Sequence, residues 1–148
     1  MDEKWKIEYY KTTNKASPVE EFIDKLEVKV QVKVSEMFDL LKEFGINLRL
    51  PHAKKVVGIP LWELRIVGQD SIRIFYITQT NRVFLLLHGF QKKKQKTDKK
   101  EIDVALKRFV DYKLRNKNWD LQYYNFVILL GYGRLGKTQK KITKKSWV

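Results

Sequence analysis

The hydrophobic and polar positions in the first part of the chain follow two different periods. Residues 5–9 alternate with a period of two, which is typical of a short strand. A helix is predicted to start at Ser17, because serine caps helices, Pro18 suits the first helical position and Glu20 completes a capping box. Apolar residues then recur with helical spacing as far as Leu26.

The next segment carries both periods at once. Between Val28 and Val34 valines alternate with polar residues, which favours a strand. From Val30 to Phe44, however, apolar residues recur in steps of four and three, which favours a helix. The helical pattern covers more residues and stops at Gly45, a residue suited to a helix end. We therefore predict a helix over 28–44 that forms an α-hairpin with the first helix.

The following residues predict a loop, three strands and a last helix. Residues 45–60 contain two prolines and a glycine and are predicted to form a loop. Apolar alternation predicts strands over 61–67, 71–78 and 83–90, with turn residues between them, as in an antiparallel meander. Asp98 followed by Glu101 predicts a helix start.

The predicted element order is β-α-α-β-β-β-α. This order indicates an α+β domain, with an antiparallel sheet packed on helices, over residues 1–113. Residues 114–148 are predicted to be a basic C-terminal extension.

Strand alternation sorts the side chains of the predicted sheet between two faces. The purely apolar sets, expected to pack against the helices, are Trp62, Leu64 and Ile66, then Ile72, Ile74 and Tyr76, then Val83, Leu85 and Leu87. In the last strand they oppose Phe84, Leu86, His88 and Phe90. The second face is predicted to carry Arg65, Arg73 and His88 interleaved with Phe75 and Phe90.

Charge adds a partner class to this picture. The 148 residues carry a formal net charge of +14, and the excess lies in the rear of the chain: residues 1–53 are close to neutral, 54–113 carry a net +8 and 114–148 a net +7. A polyanion such as RNA, DNA, an acidic protein or a membrane surface is the partner that this pattern indicates. The alternative is that the lysines serve solubility alone.

Composition also excludes several classes of protein. There is no cysteine, which excludes a disulfide framework and a thiolate metal site. The N-terminus is charged and lacks an apolar run, so no signal peptide is expected, and the longest apolar stretch, 126–130, is too short to span a bilayer. Of the possible polyanions, a membrane is the one that we do not predict as a partner. A reduced, cytoplasmic setting fits best.

The second face of the sheet suits RNA. Guanidinium groups pair with phosphate and aromatic rings stack on unpaired bases. The alternative is that Arg65 and Arg73 are solvent-facing residues of a half-exposed sheet and that His88 is a hydrogen-bonded structural histidine.

Several strings of the sequence resemble a known family in the same order along the chain. These strings are Pro51-His52-Ala53-Lys54-Lys55, Leu61-Trp62-Glu63-Leu64-Arg65, Ser71-Ile72-Arg73-Ile74-Phe75-Tyr76, Leu87-His88-Gly89-Phe90-Gln91-Lys92-Lys93 and Gln95-Lys96-Thr97 followed by Glu101-Ile102. Over residues 5–113 the chain resembles the RelE/HigB-type toxins of bacterial type II toxin–antitoxin systems, most of all the phage-derived HigB-like subgroup.

The resemblance implies an α+β toxin that cleaves mRNA on the translating ribosome. We predict no cofactor. It also implies a cognate helix-turn-helix antitoxin that inhibits the toxin by direct binding. Relatives of the same fold poison DNA gyrase instead, so gyrase inhibition is one alternative. A non-catalytic nucleic-acid-binding module is another.

Metal-independent RNA cleavage uses the ribose 2′-hydroxyl as nucleophile and needs groups that move protons and stabilise a negative phosphorane. Two histidines, no cysteine and no carboxylate cluster at ligand spacing argue against a metal route. The resemblance assigns phosphate clamping to Arg65 and Arg73. His88 is the acid–base candidate, because an imidazole titrates near neutral pH, and Lys92 is a second cation or proton donor.

Further basic residues are candidates for binding RNA. The predicted RNA-binding set is His52, Lys54, Lys55, Phe90, Lys93, Lys94 and Lys96. The alternative for the lysine run is a solvated entrance to the last helix.

One motif in the extension is misleading. Residues 131–138 match the phosphate-binding pattern GxxxxGK[ST]. Such a loop must open a helix, and a further acidic residue must hold Mg²⁺, yet no acidic residue follows Thr138. We therefore expect no nucleotide site there. The extension is expected either to pack on the domain or a partner, or to touch RNA.

Overall fold

The computed structural model describes residues 4–66, 68 and 71–116, which form an α+β arrangement of three helices and a five-stranded sheet. The strands are β1 Lys6–Tyr9, β2 Ala53–Lys55, β3 Trp62–Ile66, β4 Ile72–Gln79 and β5 Val83–Gln91. The helices are α1 Pro18–Asp24, α2 Val28–Phe44 and α3 Lys99–Asn116, with a 3₁₀ turn at Gly45–Asn47. The chain divides into two compact units, residues 1–105 and 106–148, and α3 crosses that division.

The sheet is mixed, with the strand order β1-β5-β4-β3-β2. Strands β2 to β5 form the predicted antiparallel meander, but β1 pairs parallel with β5, Lys6 opposite Val83. The prediction of a wholly antiparallel sheet is therefore wrong at this edge. Alternation of side chains reveals that residues 5–9 form a strand, but it carries no information about the partner or its direction.

The helix predictions agree closely with the structure. The helix predicted over 28–44 has those bounds, and α1 begins at Pro18. The capping box is altered, because Ser17 Oγ donates to Glu20 Oε1 at 3.0 Å instead of capping a backbone N–H. Gly45 ends α2 as predicted, with a positive φ of 57°.

The predicted loop over 45–60 contains two short elements that the sequence did not reveal. One is the 3₁₀ turn, and the other is β2, whose Ala53 and Lys54 pair with Leu64 and Glu63 of β3. A three-residue strand with two lysines is too short to show apolar alternation. It forms because the neighbouring strand, β3, pairs with it. The prediction of an irregular loop is therefore wrong at 53–55.

The core of the first unit lies between α1, α2 and one face of the sheet. This core cluster includes Val19 of α1, four residues of α2 (Val30, Val34, Met37, Leu41) and eight of the sheet (Ala53, Leu64, Ile66, Ile72, Ile74, Tyr76, Phe84, Leu86). Gly89 allows α1 to come close, because a Cβ there would lie 2.6 Å from Cδ1 of Phe22.

A bulge in β5 changes which of its residues reach that core. Phe75 pairs with His88, whereas the next residue, Tyr76, pairs with Leu86, so one residue of β5 is extra. Before the bulge Phe84 and Leu86 lie in the core cluster, and after it His88 lies opposite Phe75 on the second face. An inserted residue reverses the phase of the alternation.

The predicted division of β5 is therefore wrong in its first half. Val83, Leu85 and Leu87 are not the residues of β5 in the helix-facing cluster, and Phe84 and Leu86 do not share a face with His88. In β3 and β4, by contrast, the predicted apolar sets Leu64, Ile66, Ile72, Ile74 and Tyr76 all lie in the cluster, with Trp62 partly buried against it.

The predicted extension, 114–148, lies outside the described residues except for its first three positions, which end α3. Its apolar run and the phosphate-binding pattern at 131–138 both fall in the part that is not described. Within the described residues, none of the helices has the length and apolar character that crossing a membrane requires.

Candidate active site

The strand register brings the predicted cations together on the second face of the sheet, opposite α1 and α2. Cross-strand partners share a face, and here they form two rows. The arginine row consists of Arg65, Arg73 and Phe90, from β3, β4 and β5. The histidine row consists of Lys54, Glu63, Phe75 and His88, from β2 to β5.

A buried carboxylate holds the two arginines. Glu63 is only 6% exposed, and its Oε1 lies 3.3 Å from Nε of Arg65 and 3.2 Å from Nε of Arg73. The hydroxyl of Thr97 donates to Oε2 of Glu63 at 3.4 Å. Carboxylates are rarely buried without cationic partners, so Glu63 and the arginines form one unit. Glu63 was not among the predicted site residues: it shares a face of β3 with Arg65, but its contact with Arg73 of β4 depends on the register of the two strands.

The environment of Arg73 differs from that of Arg65. The Arg73 side chain is 12% exposed and that of Arg65 is 25% exposed. Burial lowers the pKa of Arg73 below its usual value, Glu63 partly restores it, and Arg65 lowers it further. A guanidinium nevertheless stays protonated in a protein. Two fixed cations side by side can bind an anion such as a phosphate.

His88 is in contact with a carboxylate from α3. The His88 side chain is 14% exposed, and its Nε2 contacts Oε2 of Glu101 in the first turn of that helix. The helix start was predicted correctly: the backbone N–H of Lys100 donates to Oδ1 of Asp98 at 3.1 Å. The contact of Glu101 with His88 was not predicted, because Glu101 was read only as a helix-start signal.

Aromatic rings support the histidine from within the sheet. His88 stacks on Phe90, with ring centroids 5.6 Å apart, and Phe90 in turn lies 5.1 Å from Phe75. Phe90 is only 6% exposed and Phe75 is fully buried. Little of the Phe90 ring is therefore available to a base, and its role in RNA binding stays a prediction.

A pocket of about 210 Å³ lies along the segment between β5 and α3. It is lined by Phe90, Gln91, Lys92, Lys93, Lys94, Lys96, Asp98 and Glu101. Four predicted lysines thus share one pocket with the carboxylate that contacts His88. Lys92 is half-buried, and its backbone N–H donates to the carbonyl of Ser71 at 2.9 Å.

The three predicted residues near β2 are divided between the two faces. Lys54 lies opposite Glu63 and so extends the histidine row, whereas Lys55 lies opposite Trp62 on the other face. The carbonyl of His52 accepts a 2.8 Å hydrogen bond from the backbone N–H of Arg65. Of the two lysines, Lys54 alone is on the face that carries the arginines.

The described residues contain no group of three or more histidine, cysteine or acidic side chains that could hold a metal ion.

Comparison with known proteins gives the chain a family. Residues 21–110 match the family model described as phage derived protein Gp49-like (DUF891). This match covers more than half of the chain and includes both rows and the pocket. No curated protein matches the chain. The chain belongs to the Gp49-like phage-derived protein family, a family associated with RelE-like toxins.

Proposed function

We propose that this chain is the HigB-type toxin of a type II toxin–antitoxin system and that it cleaves mRNA on the ribosome without a metal ion. The family is compatible with a toxin nuclease. The observation that carries the proposal is the pairing of Arg65 with Arg73 on the sheet face that also bears His88. A cognate antitoxin of the helix-turn-helix class is the expected partner.

The proposed reaction is transesterification within the RNA. The 2′-oxygen forms a bond to the adjacent phosphorus while the bond from phosphorus to the 5′-oxygen breaks, leaving a 2′,3′-cyclic phosphate and a 5′-hydroxyl. The two arginines bind the non-bridging oxygens, where negative charge grows in the transition state. The 2′-hydroxyl loses its proton and the departing 5′-oxygen gains one; His88 is the acid–base group of these transfers, and Lys92 supplies a further cation.

The remaining basic residues bind the nucleic acid without taking part in the reaction. Lys93, Lys94 and Lys96 line the pocket next to Glu101, and Lys54 extends the face on the other side. Contacts of lysine with phosphate supply affinity that depends on salt and little on sequence. This division assigns binding to Lys54, Lys93, Lys94 and Lys96, and the reaction to Arg65, Arg73, His88 and Lys92.

Inducible expression in bacteria, with mapping of mRNA 5′ ends on isolated ribosomes, tests the proposal. We expect new 5′ ends with the wild-type chain, and their loss with Arg73→Ala and with His88→Ala. Lys6→Ala is the matched control and should cleave normally, because Lys6 is an exposed cation of β1 that lies opposite Val83, the first residue of β5.

The rival functions give different outcomes in the same cells. Growth arrest with intact mRNA and altered DNA supercoiling would assign the chain to gyrase inhibition. RNA binding with neither cleavage nor growth arrest would assign it to the non-catalytic binding modules.

A further inference from the structure

The arginine pair poses an electrostatic problem that the fold must solve. Arg65 and Arg73 are direct cross-strand partners, and both side chains are largely withdrawn from water. Like charges directly opposite one another on a sheet are destabilising. Without a compensating anion the two guanidinium groups would swing apart, and a phosphate would have to gather them at the moment of binding.

Glu63 supplies that anion from the neighbouring row. One oxygen, Oε1, accepts a hydrogen bond from Nε of Arg65 at 3.3 Å and lies within ion-pair distance of Nε of Arg73, at 3.2 Å. Within the described part of the chain, Nε is the atom through which the Arg65 side chain makes its polar contact, and Nη1 of Arg73 donates to the carbonyl of Ile72 at 3.1 Å. The carboxylate therefore holds the Nε side of both guanidinium groups and does not occupy their terminal nitrogens.

The charge of this unit remains suited to a phosphodiester. Two guanidinium groups and one carboxylate sum to +1, so an incoming anion still meets a net positive charge. The carboxylate is itself fixed, because Thr97 donates to its second oxygen from the segment that also carries the pocket lysines.

We propose that Glu63 is a positioning residue, which holds Arg65 and Arg73 side by side as a preformed clamp for the phosphodiester that is cleaved. This inference rests on the proposed function. Glu63 is not the base of the reaction: it is 6% exposed, and both of its oxygens are already engaged, one by the arginines and one by Thr97. A clamp that is assembled before binding spends no substrate-binding energy on orientation.

Glu63→Gln, which keeps the shape and removes the charge, is the first test. Single-turnover cleavage on programmed ribosomes should slow by about 10- to 100-fold, because the guanidinium groups are no longer held in place. Binding of an mRNA blocked by a 2′-O-methyl group at the cleavage site should stay within about threefold of wild type, because loss of a negative charge does not repel RNA. Glu8→Gln, an exposed strand glutamate, is the matched control.

The arginine Nε–H resonances in ¹⁵N NMR spectra give a readout of position. In the wild-type chain the Nε–H signals of both arginines should shift together when the blocked mRNA fragment is added, and in Glu63→Gln they should shift separately or broaden. If Glu63→Gln cleaves more slowly but both of its Nε–H signals respond to the fragment as they do in the wild type, Glu63 acts as a base and the proposal is overturned. An unchanged rate, or equal losses of rate and affinity, would overturn it as well.

Thr97→Val keeps the test decisive if Glu63→Gln does not fold. This variant removes only the hydrogen bond to Oε2, so we expect a smaller loss of rate, about threefold to tenfold, with normal affinity. A wild-type rate with unshifted arginine signals would count against the proposal. If the wild-type chain cleaves no mRNA, the proposed function fails, while the response of the arginine signals to the blocked fragment still decides the role of Glu63.

Discussion

The contact between His88 and Glu101 defines the orientation of the candidate acid–base group. A carboxylate that accepts from one ring nitrogen fixes the tautomer of a neutral imidazole, as in many hydrolytic sites. Here the carboxylate comes from the first turn of α3 and the ring from β5, so two elements must be in place for the site to form.

Glu101→Gln is expected to slow cleavage by about tenfold or more, because the amide holds the ring less firmly and does not stabilise an imidazolium. Single-turnover rates on ribosomes measure the effect. Glu36→Gln, on the exposed side of α2, should keep the wild-type rate. Equal rates for wild type and Glu101→Gln would show that the carboxylate has no part in orienting His88.

Tyr76 is a titratable residue in the core. It is 3% exposed, and burial raises its pKa above the usual 10, an effect that nearby Arg49 only partly offsets. Above pH 10 the unfolded chain releases this proton while the folded chain retains it, so unfolding is favoured as the pH rises. The contribution of Tyr76 to the free energy of unfolding is therefore fully present below about pH 10 and is lost as the pH rises above it.

Urea unfolding between pH 8 and pH 11 tests this expectation. The wild-type free energy of unfolding should fall more steeply above pH 10 than that of Tyr76→Phe, by up to about 1.4 kcal/mol per pH unit. The same slope in both chains would mean that the hydroxyl ionises in the folded state.

At the scale of elements, the end of α2 depends on a glycine for two reasons. Gly45 has a φ of 57°, and a Cβ there would lie 2.6 Å from Cδ1 of Trp5, whose ring stacks on Phe84 at 4.5 Å. Gly45→Ala should lower the free energy of unfolding by about 2–4 kcal/mol, from backbone strain together with overpacking.

Gly58→Ala separates these two contributions. Gly58 has a φ of 75°, but a Cβ there would meet nothing within 4 Å. This variant should lose only about 1 kcal/mol, from backbone strain alone. Urea unfolding measures both variants, and equal losses would remove Trp5 from the explanation.

The elements also show what sequence patterns can predict and where they fail. In β3 and β4 the alternation is uninterrupted, so the placement of Arg65 and Arg73 on one face follows directly from it. In β5 the bulge reverses the phase before His88, and hydrophobicity cannot reveal it, because residues on both sides of the bulge are apolar. Glu101 was missed as a site residue because its partner, His88, lies on another element, and contacts between distant elements leave no periodic signal. Glu63 shares a face of β3 with Arg65, as the alternation predicts, and was missed because its contact with Arg73 of β4 depends on the strand register.

At the scale of the whole molecule, the excess positive charge is shared between residues 54–113, most of which the family match covers, and residues 114–148. The candidate chemistry lies within residues 54–101. Most of the last +7 lies beyond α3. Affinity for a polyanion depends on the number of phosphates neutralised, whereas the rate at saturation depends on groups at the reacting atoms.

Neutralising lysines within residues 114–148 should therefore weaken RNA binding and leave the rate of cleavage at saturation unchanged. We expect weaker binding of the blocked mRNA, and a weaker dependence of that binding on salt, when glutamine replaces Lys140, Lys141, Lys144 and Lys145. The slope of log K against log salt should become shallower by about 0.7 for each phosphate that a lysine no longer neutralises. The single-turnover rate at saturating chain should equal that of the wild type. Binding titrations at several salt concentrations, together with that rate, measure both quantities. A reduced rate at saturation would place part of the catalytic machinery in the rear of the chain, and an unchanged salt slope would show that these lysines do not touch RNA.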